Sequence, residues 1–349
     1  MRNTTVDVCL EGGGTKGIAY VGALQALEQN EVRVRCSVGT SAGAITALLL
    51  QLGYSSAQMH ELLTEKIDGE PRFTSFFDVP SEFSKQVLHD SLLMQEFRAI
   101  DIPLVPESVE ARIDRAIMGA LLKGKYFRQF FSLVERGGLF AGERFVEWLE
   151  WLLQRRGFAK DLTLTELPQL TVIAADITSQ EKLVLNGKTA PHMPVVWAVR
   201  ASMSIPLVWQ SVLWQEAWGN YAGRALHGHE LVDGGLCSNF PLRLLLEPSE
   251  LMAETESLPV LGLLLDEELR VEGIPSEHRP LPKPLDHIEA LVDTMRQGND
   301  RAVLQRYEDN VCRLPCSGYG TLEELAKAKE AALIKAARRA VRAHLLTRN

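Results

Sequence analysis

The sequence CSVGTSAGAITA, residues Cys36–Ala47, contains the pentapeptide GTSAG at positions 39–43. An apolar run, Val32–Val38, leads into it, and a run of helix-forming residues, Ala42–Leu52, follows it. The pattern G-x-S-x-G between a strand and a helix is typical of a nucleophile elbow, a sharp turn that exposes a serine. Glycines suit the flanks because the turn is tight, the backbone of the serine is strained and neither flank has room for a side chain. The stretch therefore predicts Ser41 as a nucleophile, although the pentapeptide alone is a weak signal.

A second glycine-rich turn, EGGGTKG at 11–17, lies upstream of the elbow. It follows the predicted strand Val6–Leu10 and precedes Ile18–Gln29, whose apolar residues recur at helical spacing. The order strand, glycine loop, helix, strand, elbow, helix predicts an α/β fold with a parallel sheet and helices on its faces. Because the functional loops of such sheets lie at the carboxyl ends of the strands, we expect both turns at the same edge.

The glycine loop has two chemical interpretations. Its letters fit the dinucleotide fingerprint G-x-G-x-x-G, but that site needs an acidic residue at the end of the second strand, which here enters the serine turn. It also lacks the Gly-Lys-Ser/Thr ending of a P-loop, because Gly17 follows Lys16. The other interpretation is an oxyanion hole formed by the N–H groups of Gly13, Gly14 and Ala42. Lys16 could add positive potential to this hole or could be a surface lysine.

A third turn, Asp233-Gly234-Gly235, could supply the base that a serine nucleophile needs. In an arbitrary protein, an aspartate before two glycines is more often a simple turn. A histidine-completed triad of the α/β-hydrolase type has less support, because no candidate histidine has a strand-end setting. In addition, Ser41 follows only the second predicted strand, whereas α/β-hydrolases usually have several strands before the elbow. The histidines considered as base, proton shuttle or metal ligand are His227, His229, His278, His287 and His344.

Three other polar residues carry weaker signals. Asp176, at the end of the predicted strand Leu170–Ile177, could be a second acid near the site but more often such a residue caps a helix or fixes a turn. Ser202 and Ser204 have no elbow around them, so we interpret them as helix-start or structural serines.

Composition narrows the class of protein. The chain has 349 residues, of which 46% are hydrophobic, and a formal net charge of -8 without a long basic run, which argues against nucleic acid as a partner. Its only close cysteine pair, Cys312 and Cys316, has no second pair to complete a zinc site. We find neither a signal-peptide core nor an apolar stretch of membrane-spanning length. We therefore expect a cytoplasmic protein, unless a specialised export route is used.

Taken together and in this order, EGGGTKG, GTSAG and DGG resemble the motifs of the patatin-like phospholipase family. The segments TVIAADI (171–177) and ASMSIPLVW (201–209) resemble two further family blocks, with Trp209 where phenylalanine is usual. The resemblance implies that Ser41 is the nucleophile and that Asp233 is its only side-chain partner. It implies an oxyanion hole at the glycine loop. The residues assigned to that hole are Gly12, Gly13, Gly14 and Ala42, and those that support the motifs are Lys16, Gly17, Gly39, Gly43, Gly234 and Gly235.

The implied fold is a three-layer α/β sandwich, with a mostly parallel central sheet, helices on both faces and a helical cap. We expect one domain over 1–349, with its core at about 5–55 and 136–265, the cap at 56–135 and a C-terminal helical region at 286–349. Within the cap, Arg112–Val134 has helical periodicity and an excess of basic residues. It could be a lid that meets an anionic lipid surface or an ordinary helix with a solvated basic face.

The resemblance implies a lipid acyl hydrolase of the phospholipase A type, without a metal or organic cofactor. It would cleave phospholipids or related acyl lipids at a membrane surface, with peripheral membrane association. Asp233 would take the proton of Ser41, helped by partial desolvation in the acyl cleft. An activator of nucleotide, protein or lipid nature is left open. The alternatives are a general serine esterase or thioesterase with a histidine triad, and a non-catalytic binding scaffold.

Overall fold

The fold is built on a mostly parallel sheet that comprises eight strands within the described residues. The computed structural model describes residues 4–93, 95, 124–253, 257–274, 290, 304–320 and 327–347. In chain order the strands are β1 (Thr5–Leu10), β2 (Arg33–Thr40), β3 (Lys66–Ile67), β4 (Glu70–Pro71), β5 (Gly138–Phe140), β6 (Leu170–Asp176), β7 (Glu181–Leu185), β8 (Leu207–Trp209), β9 (Val212–Leu213), β10 (Asn220–Tyr221), β11 (Arg224–Ala225), β12 (Glu230–Asp233), β13 (Val260–Arg270) and β14 (Val311–Ser317).

Helices connect and cover these strands. In chain order they are α1 (Ala19–Gln29), α2 (Ala42–Gln51), α3 (Ser56–Thr64), α4 (Arg72–Ser75), α5 (Lys85–Asp90), α6 (Lys125–Arg136), α7 (Glu143–Arg155), α8 (Val195–Ser202), α9 (Arg243–Leu246) and α10 (Lys327–Thr347). A 3-10 turn, Gly14–Ile18, leads directly into α1.

The strand order of the central sheet is β14-β13-β1-β2-β6-β12-β9, and β7 also pairs with β6. The five strands from β14 to β6 run parallel to their neighbours. The pairs β6–β7, β6–β12 and β12–β9 are antiparallel. The expectation of a mostly parallel sheet is therefore confirmed, with the antiparallel strands gathered at one side.

Because side chains alternate along the strands, the core is divided into one large cluster on one face of the sheet and smaller clusters on the other. On β1, Val8 and Leu10 face the main core, whereas Cys9 between them packs in a separate cluster with Leu264 of β13. On β6, Val172 belongs to the main core, whereas the next residue, Ile173, belongs to a smaller separate cluster. Most helices cover the main core, and the short helix α9 packs on the opposite face. Helices lie on both faces, so the three-layer sandwich is confirmed, with unequal outer layers in the described part.

The C-terminal end of the chain differs from its prediction. Within the C-terminal helical region expected at 286–349, residues Lys327–Thr347 form helix α10. The expected helical region at 286–349 also contains β14, which pairs in parallel with β13 at the edge of the central sheet. Pro315 within β14 argues against a central strand in sequence reasoning, but an edge strand tolerates a proline. The region expected to be helical thus also contributes an edge strand to the central sheet.

The predicted cap helix is described only in its second half. Residues 112–123 lie outside the described residues, and the rest forms α6. Phe131 is buried against Phe83, with ring centroids 4.4 Å apart. On another side of α6, Tyr126, Phe130 and Val134 are exposed, with Tyr126 exposed to 81%. The helix thus packs through one apolar stripe and presents a second one to solvent.

No helix in the described ranges combines the length and the apolar character that a bilayer span requires.

Helix α1 lies very close to the backbone of α10 at Gly22. A Cβ atom added at Gly22 would lie 2.0 Å from the carbonyl oxygen of Ile334. We predict that Gly22→Ala lowers the free energy of unfolding by about 1–3 kcal/mol, because overpacking against a backbone atom exceeds the gain in helix propensity. Denaturant unfolding measures the change, and Gln29→Ala on the exposed end of α1 is the control. Unchanged or increased stability of the glycine variant would contradict the predicted close packing.

Candidate active site

Ser41 lies at a strained turn between β2 and α2. Its backbone has φ +53° and ψ -120°, a conformation that a non-glycine residue adopts only when its surroundings impose it. The glycines on either side are required by space. A Cβ atom at Gly39 would lie 2.3 Å from the carbonyl oxygen of Gly43, and one at Gly43 would lie 2.2 Å from that of Leu10. The geometry is that of the elbow predicted from the sequence.

The register of β6 brings the ends of β2 and β12 together. Val172 and Ile173 pair with β2 on one side and with β7 on the other, so β2 and β7 flank β6. Ala174 pairs with both β7 and β12, which places β12 on the same side as β2. Thr40 pairs with Ile173, and Asp233 pairs with the next residue, Ala174. The structure therefore sets Ser41 and Asp233 beside each other at one point of the sheet.

The glycine loop packs directly on this point. A Cβ atom at Gly12 would lie 3.2 Å from Cβ of Ser41, and one at Gly17 would lie 2.8 Å from Cβ of Ala42. Gly14 has a positive φ of +56°, which favours glycine at the start of the 3-10 turn. The N–H group of Gly12 donates to the carbonyl oxygen of Asn239 at 3.1 Å. Gly12 is thus anchored to the Asp233 loop, which leaves Gly13, Gly14 and Ala42 as the donors to consider.

Asn239 connects the glycine loop with the loop that follows Asp233. Its buried side-chain amide donates to the carbonyl oxygen of Gly12 at 3.0 Å and to Oε1 of Glu11 at 3.0 Å. The neighbouring carbonyl oxygen of Ser238 accepts the hydroxyl of Thr40 at 3.0 Å. The sequence analysis missed Asn239, because nothing in the local pattern distinguishes it from an asparagine in a turn.

The end of α8 also reaches the elbow. Ser202 Oγ accepts the backbone N–H of Ser41 at 2.9 Å, and both side chains are buried. The carbonyl oxygen of Ser204 accepts the N–H of Asp233 at 2.9 Å. The sequence analysis interpreted both serines as helix-start or structural residues and did not foresee their contacts with Ser41 and Asp233.

Asp233 is buried and begins its own tight turn. Its Oδ1 accepts the N–H of Gly235 at 2.7 Å. A Cβ atom at Gly234 would lie 2.3 Å from the carbonyl oxygen of Ile173, so the turn can press against β6 only with glycine there. The aspartate is therefore held at the strand end by backbone contacts on both sides.

Lys16 is not the surface lysine that one interpretation allowed. Its side chain is only 3% exposed and forms an ion pair with Glu267 of β13. The positive charge next to the glycine loop is thus partly offset by a carboxylate. Burial raises the pKa of the nearby Cys316 thiol, which stays protonated and uncharged at neutral pH.

Asp176 fixes a turn and binds a histidine. Its carboxylate accepts the N–H groups of Thr178 and Ser179, at 2.9 and 3.2 Å, and lies 2.8 Å from Nδ1 of His229. Burial alone raises the pKa of Asp176, but hydrogen bonds from Ser179, His229 and Thr178 hold it below its ordinary value. This contact network is the turn-fixing role favoured by the sequence.

The remaining histidines have different surroundings. His278 and His287 lie outside the described residues, and His344 is in the last turn of α10. Among the described residues, no histidine forms a hydrogen bond with Ser41. The described chain also contains no cluster of three metal-ligating side chains. His60, which sequence reasoning had not considered, lines the cavity next to Ser41, and its Nε2 lies 2.8 Å from Glu330.

A cavity of about 540 Å³ opens beside Ser41 and the glycine loop. Apolar side chains from α2, α3, α7 and the loop after α8 form most of its lining, and charged residues from β3, α4 and α10 complete it. The apolar part includes Ile45, Leu62, Phe73, Phe145, Trp148 and Ile205, and the charged part includes Lys66, Arg72, Lys327 and Glu330. The volume lies in the range of small-molecule pockets.

A family model and several known proteins match most of the chain. The model of the patatin-like phospholipase family matches residues 8–246, a stretch that contains all three motifs. The uncharacterised protein YqhO of Bacillus subtilis is 28% identical over 342 residues, which cover 96% of each protein. The probable lipid hydrolase 463L of invertebrate iridescent virus 6 is 20% identical over 238 residues, which cover 67% of this chain and 60% of the viral protein.

Two solved structures are also similar. VipD of Legionella pneumophila gives a TM-score of 0.49 at 17% identity, over 99% of this chain and 67% of VipD. ExoU of Pseudomonas aeruginosa, solved in complex with SpcU, gives a TM-score of 0.43 at 18% identity, over 99% of this chain and 53% of that chain.

We predict that Asn239→Ala lowers the free energy of unfolding by about 1–3 kcal/mol, because the buried carbonyl of Gly12 loses its donor. Denaturant unfolding gives the change, and faster proteolysis within residues 11–17 would locate it. The control is Asn220→Ala, whose exposed side chain donates a long hydrogen bond, 3.5 Å, to the carbonyl oxygen of Gly223. Equal effects of the two variants would show that Asn239 does not anchor the loop.

Proposed function

The chain belongs to the patatin-like phospholipase family, and we propose that it is a lipid acyl hydrolase of the phospholipase A type that forms an acyl-Ser41 intermediate. Membership of the family indicates a lipid-hydrolysing enzyme. The observation that supports the finer proposal is the register of β6, where Thr40, which precedes Ser41, and Asp233 pair with consecutive residues. The glycine loop packs on the same point, and an apolar cavity opens from it.

In the first half of the proposed reaction, Oγ of Ser41 attacks the carbonyl carbon of the ester. The hydroxyl proton passes to the carboxylate of Asp233, and the carbonyl oxygen becomes an oxyanion. Collapse of this intermediate breaks the bond to the leaving alcohol, which takes the proton from Asp233. In the second half, water attacks the acyl-serine, and Asp233 takes its proton and returns it to Oγ of Ser41. The products are a fatty acid and the lyso-lipid or alcohol.

The oxyanion lies, in this proposal, against the N–H groups of Gly13, Gly14 and Ala42. The first N–H groups of a helical segment have no partner within it, and both the turn at Gly14–Ile18 and helix α2 begin here. One such donor is worth about 3–4 kcal/mol of the barrier. The N–H of Gly12 is bonded to Asn239, so we assign Gly12 a positioning role.

The lining of the cavity supports an amphiphilic substrate. The acyl chain would lie among the aromatic and aliphatic side chains next to Ser41, where burial of each methylene contributes about 0.8 kcal/mol. The exposed cations Lys66 and Lys327 also line the cavity, where an anionic head group would find opposite charge. This arrangement favours a phospholipid over a neutral ester.

We predict that Ser41→Ala and Asp233→Asn each lower kcat by at least about a thousandfold, because the nucleophile or its base is lost. Release of fatty acid from dispersed phospholipid and of chromophore from a soluble acyl ester measures the effect. The controls are Ser56→Ala, a buried serine bonded to Glu28, and Asp176→Asn, a second strand-end aspartate. Retention of activity in both Ser41 and Asp233 variants would refute the mechanism.

We also propose that α6 binds the lipid surface on which the enzyme works. Its exposed stripe of Tyr126, Phe130 and Val134 repeats every four residues along one side of the helix. Amphipathic helices with aromatic residues and a cationic excess bind anionic lipid interfaces. The charged residues of α6 are Lys125, Arg128, Glu135 and Arg136.

We predict that the double variant Tyr126→Ser/Phe130→Ser binds phosphatidylglycerol vesicles about tenfold or more weakly, because two large apolar groups no longer enter the interface. Vesicle sedimentation measures binding, and hydrolysis of a soluble ester should not change. Leu346→Ser is the matched control, since Leu346 is exposed to 72% on a different helix, α10. Equal loss of vesicle binding in both variants would exclude a specific role for α6.

A further inference from the structure

The C-terminal end of α8 and the residues just after it contact the backbone of both proposed catalytic residues. Ser202 Oγ accepts the N–H of Ser41 at 2.9 Å. Two residues later, the carbonyl oxygen of Ser204 accepts the N–H of Asp233 at 2.9 Å. Ser202 and Ser204 have no exposed surface, so solvent does not compete for either contact. One short segment therefore fixes the nucleophile and the base relative to each other.

The contact at Ser202 meets a need that the elbow creates. The pairing of β2 with β6 ends at Thr40, so the N–H of Ser41 lies past the last ladder position. A buried N–H without an acceptor carries the full cost of its lost hydration. The positive φ of Ser41 adds strain, which persists only where neighbouring groups impose the conformation. Ser202 Oγ supplies the acceptor at the strained residue itself.

A buried guanidinium holds this turn of α8 in place. Nη2 of Arg200 donates to the carbonyl oxygens of Ala141 at 2.8 Å and Gln210 at 3.1 Å, and Nη1 donates to the hydroxyl of Ser204. A Cβ atom at Gly142 would lie 2.5 Å from Nε of Arg200, so the glycine before α7 makes room for the side chain. Burial lowers the pKa of Arg200 to about 10, and the group stays charged at neutral pH.

We propose that Ser202 is a positioning residue for the nucleophile, and that its hydroxyl oxygen sets the direction in which Ser41 presents Oγ to the ester and to Asp233. The inference rests on the proposed function. It assigns to Ser202 a contribution to the acylation rate that goes beyond the stability of α8. A small displacement of a nucleophile from its reactive position lowers the rate without weakening substrate binding.

The experiment compares Ser202→Thr with Ser202→Val. The two side chains have nearly the same shape and differ in one hydroxyl, so steric cost is matched and the acceptor is isolated. Ser202→Ala gives the loss of the acceptor without added volume. For each variant we would measure kcat and KM on a soluble chromogenic ester, the rate of fluorophosphonate labelling of Ser41, and the unfolding free energy. Ser56→Ala is the control for loss of a buried serine hydroxyl away from the site.

We expect kcat and the labelling rate of the Val and Ala variants to fall together by about tenfold or more, with KM within about twofold of wild type. The Thr variant should be at least about fivefold faster than the Val variant at similar stability. Ser56→Ala should lose stability without a change in kcat. Equal rates for Thr and Val, or an Ala variant as fast as wild type, would overturn the proposal. If the Val variant does not fold, the comparison of Ala with wild type decides.

Failure of the proposed function gives a different result. In that case the wild-type protein would neither hydrolyse the ester nor be labelled at Ser41. Amide hydrogen exchange at Ser41 would then test the contact alone. Strong protection in wild type and Ser202→Thr, with faster exchange in Ser202→Val, would support the contact, and equal protection in all three would contradict it.

Discussion

The candidate site depends on the point along β6 where one neighbouring strand ends and another begins. Thr40 of β2 and Asp233 of β12 pair with consecutive residues of β6, from opposite chain directions. Parallel pairing brings the elbow to the carboxyl end of the strand, and antiparallel pairing brings Asp233 back to the same place. Because side chains alternate along a strand, a slip of one residue in β12 would turn Asp233 to the other face of the sheet. The Ser41–Asp233 dyad that we propose is possible only in this register.

The glycines of the motifs serve mainly to let backbones approach. The lack of room for a side chain predicted at the elbow glycines is what the structure shows, and among the glycines at 12–14, 17, 39, 43, 234 and 235, all described, only Gly14 has a positive φ. At Gly39, Gly43 and Gly234 an added Cβ would meet a backbone oxygen at 2.2–2.3 Å. Such contacts cannot be relieved by a side-chain rotation. The motif glycines are therefore required mainly because the glycine loop, the elbow and the Asp233 turn pack closely against one another and against the strands.

This explains what the sequence could and could not predict. The elbow, the glycine loop and the Asp233 turn carry local signals, because each needs small residues at fixed spacing next to a strand. The links between them carry none. Asn239 and Ser202 contact segments 227 and 161 residues away, and an asparagine or serine has no local signature for such a partner. Strand β14 was missed for a similar reason, since it is recognisable only by its pairing with β13.

The same links bear on how a serine could work without a histidine. A solvated aspartate has a pKa near 3.9 and is a weak base, so transfer of the serine proton to it depends on a short and well-directed approach. Histidine-based triads orient the base through a third side chain. Here the corresponding constraint acts on the backbone. Ser202 accepts the N–H of Ser41, and Ser204 accepts the N–H of Asp233. The N–H of Gly235 donates to Oδ1 of Asp233, and Arg200 donates to the hydroxyl of Ser204. In the mechanism we propose, a rigid backbone around two side chains takes the place of the third member of a triad.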